Sequence, residues 1–197
     1  MATAVVIRPR VSVDEYLAME AAATEKHILW DGEVFSVEAM SGGTFDHGTI
    51  SASVIAALHT SLRGSRCRVV TSDVKVWVPL KAGFVYPDAT VVCGRAEAYP
   101  GTTDVLTNPS LLIEVLSEGT EKFDRGDKFE GYRTIPTLRH YVMVSSKHRL
   151  VEHYERAEGD AWTLRTYGPG SELRVKGPDA ALAVDELYRM AFEDDAG

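Results

Sequence analysis

The chain has 197 residues, of which 45% are hydrophobic and 25% charged. These ordinary globular values exclude a largely disordered polypeptide, and no apolar run approaches the ~20 residues that a spanning helix needs. The net charge of −8 and pI of about 5.3 argue against tight, non-specific binding to nucleic acid, which rests on phosphate neutralisation by Lys and Arg. They leave room for a locally basic or metal-assisted site.

MATAVVIRPR lacks the apolar stretch of a secretory signal, so a cytoplasmic location is the expectation. Residues 1–10 read as an N-terminal arm, 11–190 as one domain, and 191–197 as a flexible acidic C-terminus. Ser12-Val13-Asp14-Glu15 opens a short helix, with Ser12 as N-cap and Glu15 at the capping-box position. His27–Trp30 and Glu33–Val37 read as a hairpin turning at Asp31-Gly32. Asp46–Leu62 is a helix, because Ile50, Val54, Leu58 and Leu62 recur every four residues.

Strands follow at Cys67–Val70, Val74–Val78 and Ala89–Cys93. Gly94–Pro109 reads as a loop. Cys67 and Cys93 are far apart in sequence and fit no metal spacing, so both are expected as reduced thiols. Leu111–Leu116 is apolar except for Glu114, the pattern of a central strand covered on both faces. Thr120–Thr134 reads as a helix ending before Ile135-Pro136. Tyr141–Val144, Leu150–Tyr154 and Trp162–Tyr167 are strands, and Val184–Tyr188 is a short closing helix. Strands and helices do not alternate regularly. The fold class is therefore α/β of the α+β kind: a mixed sheet flanked by helices, with an N-terminal helix and β-hairpin.

Glu114 is the most informative residue. A buried carboxylate needs a cation, a set of hydrogen bonds or a proton. An ordinary ion pair with a strand-end Arg or Lys would satisfy it as well as a metal would. Asp88 follows Pro87 at the head of an apolar strand. Alone it reads as a turn aspartate; beside Glu114 it offers a second hard oxygen ligand, suited to Mg²⁺ or Mn²⁺. Beyond them, Arg125, Lys128 and Tyr132 share one helical face by spacing, and Asp124 and Lys128 form an i, i+4 pair that could be merely an exposed ion pair. Glu33 beyond the hairpin turn and His47 in the first turn of the second helix are further candidates. A solvated hairpin charge and a half-buried structural histidine are their plain alternatives.

Taken in order, these segments resemble the Uma-type family of restriction endonucleases, of the PD-(D/E)XK superfamily. Trp30-Asp31-Gly32-Glu33-Val34 resembles its first hairpin, Asp46-His47 the start of its second helix, and Tyr86-Pro87-Asp88 the PD element. Leu112-Ile113-Glu114-Val115-Leu116-Ser117 resembles the (D/E)XK strand. Asp124-Arg125-Gly126-Asp127-Lys128-Phe129-Glu130-Gly131-Tyr132-Arg133 is the most specific block. The resemblance implies a restriction-endonuclease-like core and Mg²⁺-dependent (or Mn²⁺-dependent) hydrolysis of phosphodiester bonds in nucleic acid, DNA in the first instance. It implies that Asp88 and Glu114 hold the metal, that Glu33 joins them, and that Lys128 replaces the lysine missing at Leu116. His47, Tyr132, Arg125 and Asp124 are supporting candidates. A homodimer is expected, because cutting both strands takes two sites, and no membrane partner is. A catalytically silent binding module and a metal-dependent hydrolase of small phosphate esters are the alternatives.

Overall fold

The computed structural model describes residues 10–37 and 44–192. Almost all of the expected arm and most of the acidic tail lie outside them. Among the described residues no helix is long and apolar enough to cross a membrane.

Helix α1 (Val13–Ala22) begins with the capping box read from the sequence. The Glu15 N–H donates to Ser12 Oγ, and the Ser12 N–H donates to the Glu15 carboxylate. The hairpin of β1 (His27–Trp30) and β2 (Glu33–Ser36) turns through Asp31 and Gly32, with φ of 50° and 78°. Both residues are left-handed, as a tight hairpin turn requires. Helix α2 spans Phe45–Ser61.

Strands β3 (Cys67–Thr71), β4 (Lys75–Val78), β5 (Gly83–Val85), β6 (Ala89–Cys93), β7 (Val105–Leu106) and β8 (Leu111–Leu116) follow. A helical segment over 121–132, called α3 below, is built from α-helical Glu121–Phe123, π-helical Asp124–Lys128 and α-helical Phe129–Tyr132. The chain continues through β9 (His140–Ser145), β10 (Val151–Arg156), β11 (Trp162–Tyr167), β12 (Glu172–Val175), β13 (Ala180–Ala183) and α4 (Val184–Leu187).

The mixed α/β architecture is the one expected, but the strands divide into three sheets. The main six-stranded sheet runs β11-β10-β9-β8-β6-β3, with β8 and β9 parallel and the other neighbours antiparallel. A second sheet runs β2-β1-β5-β4-β7, and β12 and β13 form a hairpin of their own. The expected loop from Gly94 to Pro109 thus contains a strand: Val105 and Leu106 pair in parallel with β4. Two residues are too few to show a periodicity, so tertiary pairing alone reveals β7.

The expectation of free thiols is also corrected. Antiparallel register sets Cys67 directly opposite Cys93, and the two are joined as a disulfide. Their separation of 26 residues in sequence hides that proximity.

Alternation along β8 decides what each face of the main sheet sees. Leu111, Ile113 and Val115 turn toward the Ile50–Val54–Leu58 stripe of α2. Leu112 and Leu116 turn the other way, into a cluster with Trp30, Val78, Tyr132 and Met143. Glu114 shares the parity of Leu112 and Leu116. It is therefore aimed at the layer between the main sheet and α3, in a strand buried at all six positions.

Candidate active site

The β6–β8 register pairs Ala89 with Ile113 and Thr90 with Leu112. One step further, just past the last paired residue, Asp88 stands beside Glu114. The backbone pairing has ended there, and side chains replace it. Asp88 Oδ2 accepts the Val115 N–H at 2.8 Å, and His47 Nε2 lies 3.0 Å from the Val115 carbonyl oxygen. His47 Nε2 is also 3.8 Å from Asp88 Oδ1. The first turn of α2 is thereby tied to the strand ends that carry the two acids.

Helix α3 closes the other side. Lys128 Nζ donates to Glu114 Oε1 at 3.0 Å, and the Tyr132 hydroxyl donates to the same oxygen at 2.7 Å. Lys128 Nζ also lies 2.6 Å from Asp124 Oδ1. That oxygen has no well-directed hydrogen bond, so the contact is ion pairing rather than a hydrogen bond. The pair that could have been an exposed i, i+4 bridge is buried: Asp124 is 1% and Lys128 7% exposed. The π turn widens the helix where it holds both residues. It also separates Arg125 from the face shared by Lys128 and Tyr132. Arg125 instead pairs with Glu121 at 2.9 Å and Glu152 at 2.5 Å, outside the site.

Three carboxylates, those of Asp88, Glu114 and Asp124, thus surround one ammonium. Burial pushes the Glu114 pKa up to about 8, restrained by Lys128 and by the Tyr132 hydroxyl and reinforced by Asp124 and Asp88. Burial also raises the Asp88 pKa, against the opposing pull of His47, the Val115 N–H and Lys128. Burial alone would discharge Lys128, but Glu114 and Asp124 outweigh it and hold its pKa above the ordinary lysine value.

A cavity of about 80 Å³ lies among these groups, lined by His47, Tyr86, Asp88, Glu114, Val115 and Lys128, with Ile28, Val37, Ser117 and Thr120. Ser117 and Thr120, whose hydroxyls are 2.9 Å apart, escape sequence reasoning because neither has a distinctive spacing. Their position between the Glu114 strand and α3 is the only signal. Glu33 is not brought here. It is exposed on β2 and lines a separate cavity with Arg10, Trp30, Phe35, Lys81 and Asp127. Glu33 is the cross-strand partner of Trp30, next to the hairpin turn, and that end of the hairpin opens on the other cavity.

The donors suit a hard divalent cation. Asp88 Oδ1 and Glu114 Oε2 are the oxygens not taken by the Val115 N–H or by Lys128 and Tyr132. Among the described residues no group of three or more His, Cys, Asp or Glu side chains is arranged to hold a metal. Two carboxylates are nevertheless a usual protein contribution for Mg²⁺, which keeps several waters and takes further oxygens from a phosphate.

Comparison with known proteins bears on the family and the fold. The uncharacterized protein slr1290 of Synechocystis sp. is 34% identical over 185 residues, covering 93% of this chain and 95% of the relative. A second Synechocystis protein, sll1609, is 31% identical over 150 residues, covering 76% and 83%. The crystal structure of a "putative nuclease belonging to DUF820" from Anabaena variabilis superposes with a TM-score of 0.72 at 12% identity, covering 91% of this chain and 98% of that one, and so shares its fold. The model of the Uma2 family, described as "Putative restriction endonuclease", matches residues 13–185, and the chain belongs to that family.

Proposed function

We propose that this protein is a metal-dependent endonuclease that hydrolyses phosphodiester bonds of nucleic acid, DNA in the first instance, at the cavity between Asp88 and Glu114. The observation that carries the reading is the excess of buried carboxylate over ammonium at the junction of two adjoining strands and α3. Such a cluster is stabilised by a cation or by protons.

Asp88 and Glu114 would hold Mg²⁺ or Mn²⁺. When bound, the ion supplies an acidified water and neutralises charge on the phosphate. Lys128 keeps its proton beside Glu114 and Asp124. Its role is therefore electrostatic: it stabilises negative charge on the phosphoryl oxygens and does not serve as a base. Tyr132 fixes the Glu114 carboxylate by donating to Oε1, and His47 fixes Val115. The cavity has room for roughly three waters at about 30 Å³ each. That is room for a phosphate group.

The test is nicking of supercoiled plasmid, single-stranded DNA and RNA with Mg²⁺ or Mn²⁺, alongside calorimetric titration of each ion. Asp88→Ala and Glu114→Gln should each lower the rate at least about a hundredfold and weaken ion binding. Equal cleavage by parent and variants would overturn the reading. No cleavage together with no ion binding at millimolar concentration would make the chain a binding module of the same fold.

A further inference from the structure

A nuclease with a net charge of −8 must find phosphate neutralisation somewhere on its surface. The cavities near the candidate site do not offer it. One, of about 600 Å³, is lined by Lys26 and Lys75 against Glu20, Glu25 and Asp104. Lys26 and Lys75 are each paired with an aspartate. In the cavity that holds Glu33, Lys81 is paired with Asp31 and Glu130.

One groove differs. At the end of α2 and the start of β3, a groove of about 560 Å³ is lined by His59, Arg63 and Arg68 and by no acidic residue. Arg66 is exposed beside it. Among the described residues Arg63, Arg66 and Arg68 make no ion pair. Their guanidinium groups are thus free for a ligand, and planar guanidinium matches phosphate oxygens bidentately.

The groove is placed by the strands that build the candidate site. β3 is an edge of the main sheet, and its register runs from Thr71 opposite Ala89 to Cys67 opposite Cys93. The residue before Ala89 is Asp88. From Asp88 to Cys93 along β6 is therefore about 17 Å at ~3.4 Å per residue. Each strand of a B-DNA duplex advances about 3.4 Å along the helix axis per phosphate, so the span corresponds to about five base pairs of duplex.

We propose that the arginine groove formed by Arg63 and Arg68 binds the phosphate backbone of the substrate about five base pairs from the scissile bond, along the β3 edge. The choice of nucleic acid over an acidic protein rests on the proposed nuclease function; the groove itself requires only a polyanion.

The experiment is fluorescence anisotropy with labelled DNA in EDTA, so that binding is read without cleavage. For a duplex of about 20 base pairs, Arg63→Ala/Arg68→Ala should reduce the slope of log affinity against log salt by roughly 1.5 to 2. Arg165→Ala, exposed on β11 at the opposite edge of the main sheet, should leave that slope unchanged. An unchanged salt slope in the double variant would overturn the proposal. So would a poly-glutamate peptide that displaces the duplex at equal charge concentration and depends on the same two arginines. Because no cleavage is measured, failure here leaves the hydrolytic reading standing. Arginine-dependent duplex binding without any metal-dependent cleavage would uphold the groove and remove the hydrolysis.

Discussion

The Asp88 carboxylate accepts the Val115 N–H at 2.8 Å, in the position where a backbone carbonyl of β6 would stand had the pairing continued. Asp88 therefore has two separable duties, capping β8 through Oδ2 and presenting Oδ1 to the cavity. Asp88→Asn keeps an acceptor for Val115, whereas Asp88→Ala does not. Both should lose metal-dependent cleavage. In urea melts, Asp88→Ala should be about 1 kcal/mol less stable than Asp88→Asn, the typical value of one intramolecular hydrogen bond. Equal stability of the two variants would remove the capping role.

Lys128 lies between Glu114 and Asp124, at 3.0 and 2.6 Å. Removing one member of a buried ion pair leaves the others uncompensated, which costs about 3–5 kcal/mol. Lys128→Met should lie in that range by chemical denaturation at neutral pH. Adding Asp124→Leu should recover part of the loss, because one stranded carboxylate goes with it. If the double variant is as unstable as the sum of the singles, the three groups do not act as a unit.

How much of this was legible in the sequence depends on the residue. Asp88 and Glu114 stood out because strand alternation and apolar neighbours predict burial, and buried acids are costly anywhere. Spacing made Lys128 a candidate, but only the resemblance gave it a role, since i, i+4 pairs on surfaces look the same. Its burial comes from the packing of α3 on the sheet. Arg125 was misplaced because a π turn breaks the periodicity on which helical faces are inferred. Glu33 was misplaced because a hairpin's orientation to the rest of the molecule is not written in its own pattern. The Cys67–Cys93 pairing and strand β7 depend on neighbours distant in sequence, for which local patterning holds no signal.

Gly131 shows how tightly α3 is seated. A Cβ at this position would meet Trp30 Cη2 at 2.7 Å and Val78 Cγ1 at 2.8 Å. Both neighbours are buried core side chains and have little freedom to yield. Gly131→Ala should cost about 1–3 kcal/mol through overpacking, despite the better helix propensity of alanine. Tyr132, the next residue, holds Glu114. Cleavage should therefore fall even at temperatures where the variant remains folded, as checked by activity alongside a thermal melt. Full activity with wild-type stability would show that the helix shifts freely.

The buried pair His140 and His153, both 2% exposed, makes an acid-side prediction independent of the candidate site. His140 Nε2 lies 2.8 Å from the Lys176 carbonyl, so that nitrogen carries a proton and donates. His140 Nδ1 then accepts from His153 Nε2 at 3.0 Å. His153 Nδ1 is left as a buried lone pair without a partner, and both rings are neutral. Burial lowers the His153 pKa from 6.5 to about 4, helped by His140 and Arg165 and opposed by Glu155. The His140 pKa is lowered as well, chiefly by burial. Between pH 6.5 and about 4 the unfolded chain takes up a proton at His153 that the folded chain does not. Stability is therefore complete above the unfolded pKa and declines as pH falls through this window, by roughly 2–3 kcal/mol in all. His153→Gln retains an amide donor for His140 and does not titrate, so its stability should fall less steeply over the same range. Denaturant melts at intervals of pH decide the point, and parallel profiles for parent and variant would show that His153 is not the group that titrates.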